Sequence, residues 1–117
     1  MRARLLTLAG WLTVAVGALH FGVAVAQYRT LSFDALWFAG SGLTVVLIGL
    51  LSLLARSSPA PRGLRGAAAG ANAAGLALAV AFGALTRWRE PQGAVLVVLF
   101  LAGGVGVMWR PDDARDP

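Results

Sequence analysis

Four apolar runs, each close to twenty residues and separated by short polar connections, constrain this chain more than any other feature. They cover about 5–26, 35–55, 66–86 and 92–109. About twenty residues of α-helix cross the ~30 Å hydrocarbon core of a bilayer. Backbone polar groups cannot go unpaired in lipid, so unbroken runs of this length form helices and not the short alternating strands of a barrel. The predicted fold class is all-α: an integral membrane bundle of four transmembrane helices, one domain over residues 1–117. Connections this short make sequential helices antiparallel neighbours.

Composition supports lipid as the solvent. Hydrophobic residues make up 58% of the chain and charged ones 13%, where a soluble domain carries about a quarter charged residues. A water-soluble chain of this size has too much surface for its volume to hide so many apolar groups. The first run competes with a secretory signal, because Arg2 and Arg4 precede it and Ala24-Val25-Ala26 mimics a cleavage site. It exceeds the ~7–15 apolar residues of such signals, and it is read as a retained helix.

The formal charge of +5 comes from ten basic residues, all arginine, against five acids. They sit at the edges of the apolar runs and form no stripe of the kind that tracks a phosphate backbone, so nucleic acid is excluded as a partner. The chain has no cysteine and no lysine, which removes disulfides, thiolate chemistry, Schiff bases and a Walker-type phosphate loop. Arg2, Arg4, Arg56, Arg62, Arg65, Arg110 and Arg115 fall on one side of the membrane, and Arg29, Arg87 and Arg89 on the other. That bias predicts a bacterial inner-membrane protein with both termini cytoplasmic. Tyr28, Trp37 and Trp88 then mark the outer boundary and Trp109 the inner one.

Spacing assigns faces. Thr7, Gly10, Thr13, Gly17, His20, Ala24 and Gln27 follow steps of three and four and share one side of the first helix. In lipid such a small or weakly polar side meets other helices, while Leu5, Leu8, Leu12, Val16, Leu19 and Val23 look outward. The third helix carries Gly66 and Gly70 in a G-x-x-x-G pair, then Asn72 and Gly75. It is predicted to be the central, closely packed helix. Ser32 and Asp34 suit the start of the second helix, and Glu90 with Pro91 the start of the fourth.

Few residues can carry chemistry. His20 is the single histidine, and an ionisable group inside a span is a functional candidate by default. Asp34 and Trp37 lie toward the same side of the membrane, so the three together outline a candidate ligand pocket. Opposed to this stands a structural role for each: imidazole bridging helices, Asp34 supporting a helix start. One histidine and scattered acids give no metal-ligand spacing. No cofactor is predicted. A quinone is the class a pocket near His20 would take, and a b-type haem would find one axial histidine per chain, so bis-histidine ligation needs a dimer. Ser32 and Ser41 lack a nucleophile-elbow motif.

Gly17-Ala-Leu-His20-Phe21, Tyr28, Gly42, Gly49, Leu50-Leu51 and Ala71-Asn72 together resemble the pattern of small four-helix bacterial membrane proteins of the DoxX-like type. The resemblance covers about three of the four helices. It implies association with quinone-linked oxidoreductase complexes and with redox or envelope stress, as an accessory subunit. From the residues themselves the leading expectation is a non-enzymatic subunit, scaffold or regulator, working as a homo-oligomer or within a membrane complex. A redox-accessory protein binding a quinone-like ligand near His20 is the first alternative. An oligomeric transporter or channel subunit is the second.

Overall fold

The computed structural model describes residues 2–57 and 60–109. The tail arginines Arg110 and Arg115 lie outside the described residues. Four helices follow one another: α1 (Arg2–Gln27), α2 (Phe33–Arg56), α3 (Arg62–Leu85) and α4 (Pro91–Met108). All four are long and apolar enough to cross a membrane, and there is no strand among the described residues. The fold is that of a multi-pass membrane protein.

Local chemistry sets the ends. Ser32 caps α2, its Oγ accepting from the Ala35 N–H at 3.1 Å, and Asp34 stands in the first turn, where a carboxylate favours the helix dipole. Glu90 is the N-cap of α4 through its backbone alone, followed by Pro91 at the first helical position. Helix α1 begins three residues and α3 four residues earlier than their apolar runs, because the arginines there prolong the helix past the hydrocarbon into the interface. At the end of α3, Arg87 and Trp88 take φ of 52° and 56°. Their N–H groups donate back to Ala84 O at 3.1 Å and Gly83 O at 2.7 Å, closing the carbonyls that the ending helix leaves open. The turn folds the Trp88 indole over Gly83, where no side chain would fit.

The helices form two antiparallel hairpins, α1–α2 and α3–α4, joined along α2–α3 and α1–α4. The α1–α2 crossing brings backbone against backbone. A Cβ on Gly17 would stand 2.6 Å from Val46 N and 2.7 Å from Gly42 O, and one on Gly42 would stand 2.6 Å from Phe21 N. One on Gly49 would stand 2.9 Å from Val14 N and 3.1 Å from Gly10 O. Gly10 and Gly17 on α1 thus meet Gly42 and Gly49 on α2, each pair seven residues apart. Seven residues is two helical turns, so each pair lies in one straight line of contact.

The expected place of α3 needs correction. Helices α2 and α4, not α3, pack against all three others. Gly66 and Gly70 face outward, and a Cβ on either would meet nothing within 4 Å. The buried side of α3 is Ala68, Asn72, Gly75, Ala79 and Gly83, more than a third of a turn away from that pair. Gly75 does lie in a contact, against the ring of Phe100, with a Cβ there 2.9 Å from the ring. One apolar cluster joins Ile48, Ala79 and Phe100, and a second joins Ala55, Ala68 and Val107. Among the described residues no large side chain is fully buried. Bulky residues such as Leu8, Leu19, Phe33, Leu36, Trp37 and Leu78 face out instead, which is stable in lipid and ruinous in water.

Candidate functional site

His20 and its surroundings come first. Half-buried on α1, the imidazole lies against α2, its ring stacked on Phe38 at 3.9 Å between centroids. Its Nε2 is 3.0 Å from Ser41 Oγ. Phe38 and Ser41 are three apart on α2 and share the face turned to α1. Tyr28, just past α1, adds its ring 6.0 Å from Phe38.

The hydrogen-bond directions follow from the partners. Ser41 Oγ donates to the Phe38 carbonyl at 2.7 Å, so its lone pair is what meets the imidazole. Nε2 therefore carries the proton and Nδ1 the lone pair. A hydroxyl that gives its proton to a backbone carbonyl is not poised as a nucleophile, since a serine nucleophile donates to its histidine. The hydroxyls of Thr13, Thr44, Ser52 and Thr86 are likewise committed to carbonyls one turn back.

The other two proposed pocket residues do not join His20. Asp34 precedes Ser41 by seven residues, about 10 Å along the helix axis, and is exposed at the end of α2. Trp37 is 72% exposed on the outward side of α2. The structure thus brings together His20, Ser41, Phe38 and Tyr28, and leaves Asp34 and Trp37 apart. Ser41 and Phe38 were missed in the sequence because a serine and a phenylalanine in an apolar run carry no signal of their own. Their three-residue spacing opposite His20 is visible only once the α1–α2 register is known.

A second polar centre lies toward the other end of the bundle. Asn72, 2% exposed on α3, donates through Nδ2 to Ser52 Oγ at 2.7 Å and to Ala68 O at 2.8 Å. Its Oδ1 rests against Gly103 of α4. One amide therefore locks three helices. A turn further along α2, Arg56 donates through Nη1 to Gly106 O at 2.7 Å, tying α2 to α4. Arg56 reads as a linker residue in the sequence, yet it is the last residue of α2. Nothing in its immediate sequence marks a partner fifty residues away.

Among the described residues no group of three histidine, cysteine or acidic side chains could hold a metal ion. The polar groups inside the spans bridge helices in twos and threes and do not converge on an apolar cavity. Chemically, the arrangement fixes helix register. His20 Nδ1 has no hydrogen-bond partner among the described residues.

Replacing His20 separates its two contacts. His20→Gln retains a donor for Ser41 and loses the ring stack, while His20→Phe does the reverse. The expected costs are about 1 kcal/mol for the stack and about 0.6 kcal/mol for the hydrogen bond between membrane helices. Thermal unfolding in a single detergent should rank His20→Gln below His20→Phe.

Comparison with protein-family models, with curated proteins and with solved structures finds no match to this chain.

Proposed function

We propose that this chain is a non-enzymatic structural subunit of a bacterial inner membrane, with both termini cytoplasmic, that pairs with a second copy of itself through the outward side of α3. The arginine bias across the membrane supports the orientation. Arg4, Arg56, Arg62 and Arg65 share the end of the bundle that holds the α1 N-terminus, and Arg29, Arg87 and Arg89 the opposite end.

One observation carries the pairing. Beyond Arg62, every exposed residue of α3 up to Ala77 is glycine or alanine, namely Gly63, Gly66, Ala67, Gly70, Ala73, Ala74 and Ala77. The outward faces of α1 and α2 carry leucine, phenylalanine and tryptophan. A lipid-facing helix gains nothing from losing its side chains, whereas a helix that another helix must approach closely requires it. Two copies inserted with the same topology bring Gly70, Ala74 and Ala77 of each onto the other about a two-fold axis, the self-complementary arrangement of small-residue dimers.

Gly70→Leu tests this. It should leave the fold of one chain intact, since nothing of the chain stands within 4 Å of a Cβ at that position. Native mass spectrometry in mild detergent should show dimers for the wild type and single chains for the variant. Dimers persisting in Gly70→Leu would count against the proposal.

A redox-accessory role, in line with the DoxX-like resemblance, is favoured by one feature only. The lone pair on His20 Nδ1 has no partner among the described residues and would accept a hydroxyl such as that of a quinol. Loss of a co-purifying quinone in His20→Phe, with stability retained, would support it.

A further inference from the structure

Between the beginning of α3 and the end of α4 runs a groove of about 290 Å³, lined by Arg62, Arg65, Gly66, Ala69, Val107 and Met108. It lies about a quarter of a turn round α3 from the Gly70 face. Its polar wall is two guanidinium groups. Its floor is apolar and low, because a Cβ on Gly66 would meet nothing within 4 Å.

Arg65 Nε is shielded from solvent and has no hydrogen-bond partner among the described residues. A buried N–H without an acceptor is costly, the more so on a cation. The described carboxylates, Asp34 and Glu90, stand at the far end of the bundle and cannot supply one. The first turn of α3 carries no acid and its N-cap makes no side-chain bond, so the helix dipole adds to the positive potential there.

We propose that this groove binds the phosphate of an anionic phospholipid, with Arg62 and Arg65 gripping the phosphate oxygens and an acyl chain lying over Gly66, Ala69 and Val107. Arginine's planar fork matches phosphate oxygens in pairs. The height is right for a lipid. Arg62 opens α3 and Met108 closes α4, so the guanidiniums sit at the boundary where headgroups lie and the apolar floor runs inward from it. Basic pockets between transmembrane helices on the cytoplasmic side recognise anionic headgroups by this combination. The apolar floor distinguishes a lipid from a free phosphate, which would need only the arginines.

The experiment uses the full chain in neutral detergent with phosphatidylglycerol and phosphatidylcholine added in equal amounts, and counts retained lipid by native mass spectrometry. The wild type should prefer phosphatidylglycerol by about tenfold. Arg62→Gln combined with Arg65→Gln should abolish that preference while the melting temperature holds. Gly66→Leu, which keeps both charges and fills the floor, should lower retention several-fold. Glycerol phosphate in large molar excess should fail to displace the lipid. Equal retention of both lipids by the wild type would overturn the proposal. So would a preference that survives the double substitution, or displacement by glycerol phosphate, which would make the ligand a soluble phosphate.

Discussion

Gly17→Leu should unfold the α1–α2 hairpin, with a loss of at least about 3 kcal/mol, the upper end of overpacking costs. A bare Cβ at that position already falls 2.6 Å from a backbone nitrogen and 2.7 Å from a backbone oxygen. Backbone cannot rotate away as a side chain can, so the two helices must part along their whole contact. Gly42→Ala should cost less, yet still more than Gly70→Leu, whose Cβ meets open space within its own chain and which costs that chain's own fold about 0.5 kcal/mol or less. Gly10→Ala provides a graded control, because its obstacle is the Leu53 side chain at 2.7 Å, and that chain can move. Thermal unfolding of the four variants in one detergent should give the order Gly17→Leu, Gly42→Ala, Gly10→Ala, Gly70→Leu, from worst to mildest.

Gly103→Val carries the second large effect. Its Cβ would fall on the Asn72 amide, and Asn72 is the residue that bonds Ser52 on α2 and the Ala68 carbonyl on its own helix. Displacing it opens the α3–α4 seam and breaks the link to α2 together. About 2–3 kcal/mol is expected, as for inserting bulk into a packed site. Asn72→Ala alone should cost less, since one membrane hydrogen bond averages about 0.6 kcal/mol. The double variant is informative. Removing the amide makes room for valine, so Asn72→Ala with Gly103→Val should be more stable than the sum of the singles by about 1 kcal/mol or more. Strict additivity would show that the two residues do not touch.

These substitutions also mark how far the fold could be read in advance. Length and hydropathy alone place four helices, because a bilayer demands about twenty apolar residues per crossing and tolerates no unpaired backbone. Ser32 is legible as a cap, since capping is local chemistry between neighbours in sequence. The stripe on α1 from Gly10 through His20 is legible too, since one helix's periodicity needs no knowledge of its partner. What fails is the choice among glycines. Gly66 and Gly70 look like the close contact by spacing, but a small-residue pair says only that something approaches. Which helix approaches, or whether a second chain does, depends on how the hairpins dock. The equal seven-residue spacing of Gly10 and Gly17 and of Gly42 and Gly49 was the available sign of the true crossing.

The candidate site shows the same division. His20 is legible because an ionisable residue inside a span is costly and rare. Its partners are not, for Ser41 and Phe38 gain meaning only from the α1–α2 register. Asp34 and His20 share a side of the membrane and nothing closer. Two helical turns separate Asp34 from Ser41, and membrane depth is too coarse a ruler for hydrogen bonds.

The proposed pairing requires the small-residue side of α3 to meet a second copy in the membrane. The chain has no cysteine, so single-cysteine variants report contacts without background. Ala74→Cys lies on the outward side of α3 and Leu8→Cys on the lipid face of α1. In native membranes, mild oxidation should link Ala74→Cys chains into disulfide dimers and leave Leu8→Cys chains single. Single chains from Ala74→Cys, or equal linking of both variants, would contradict the claim.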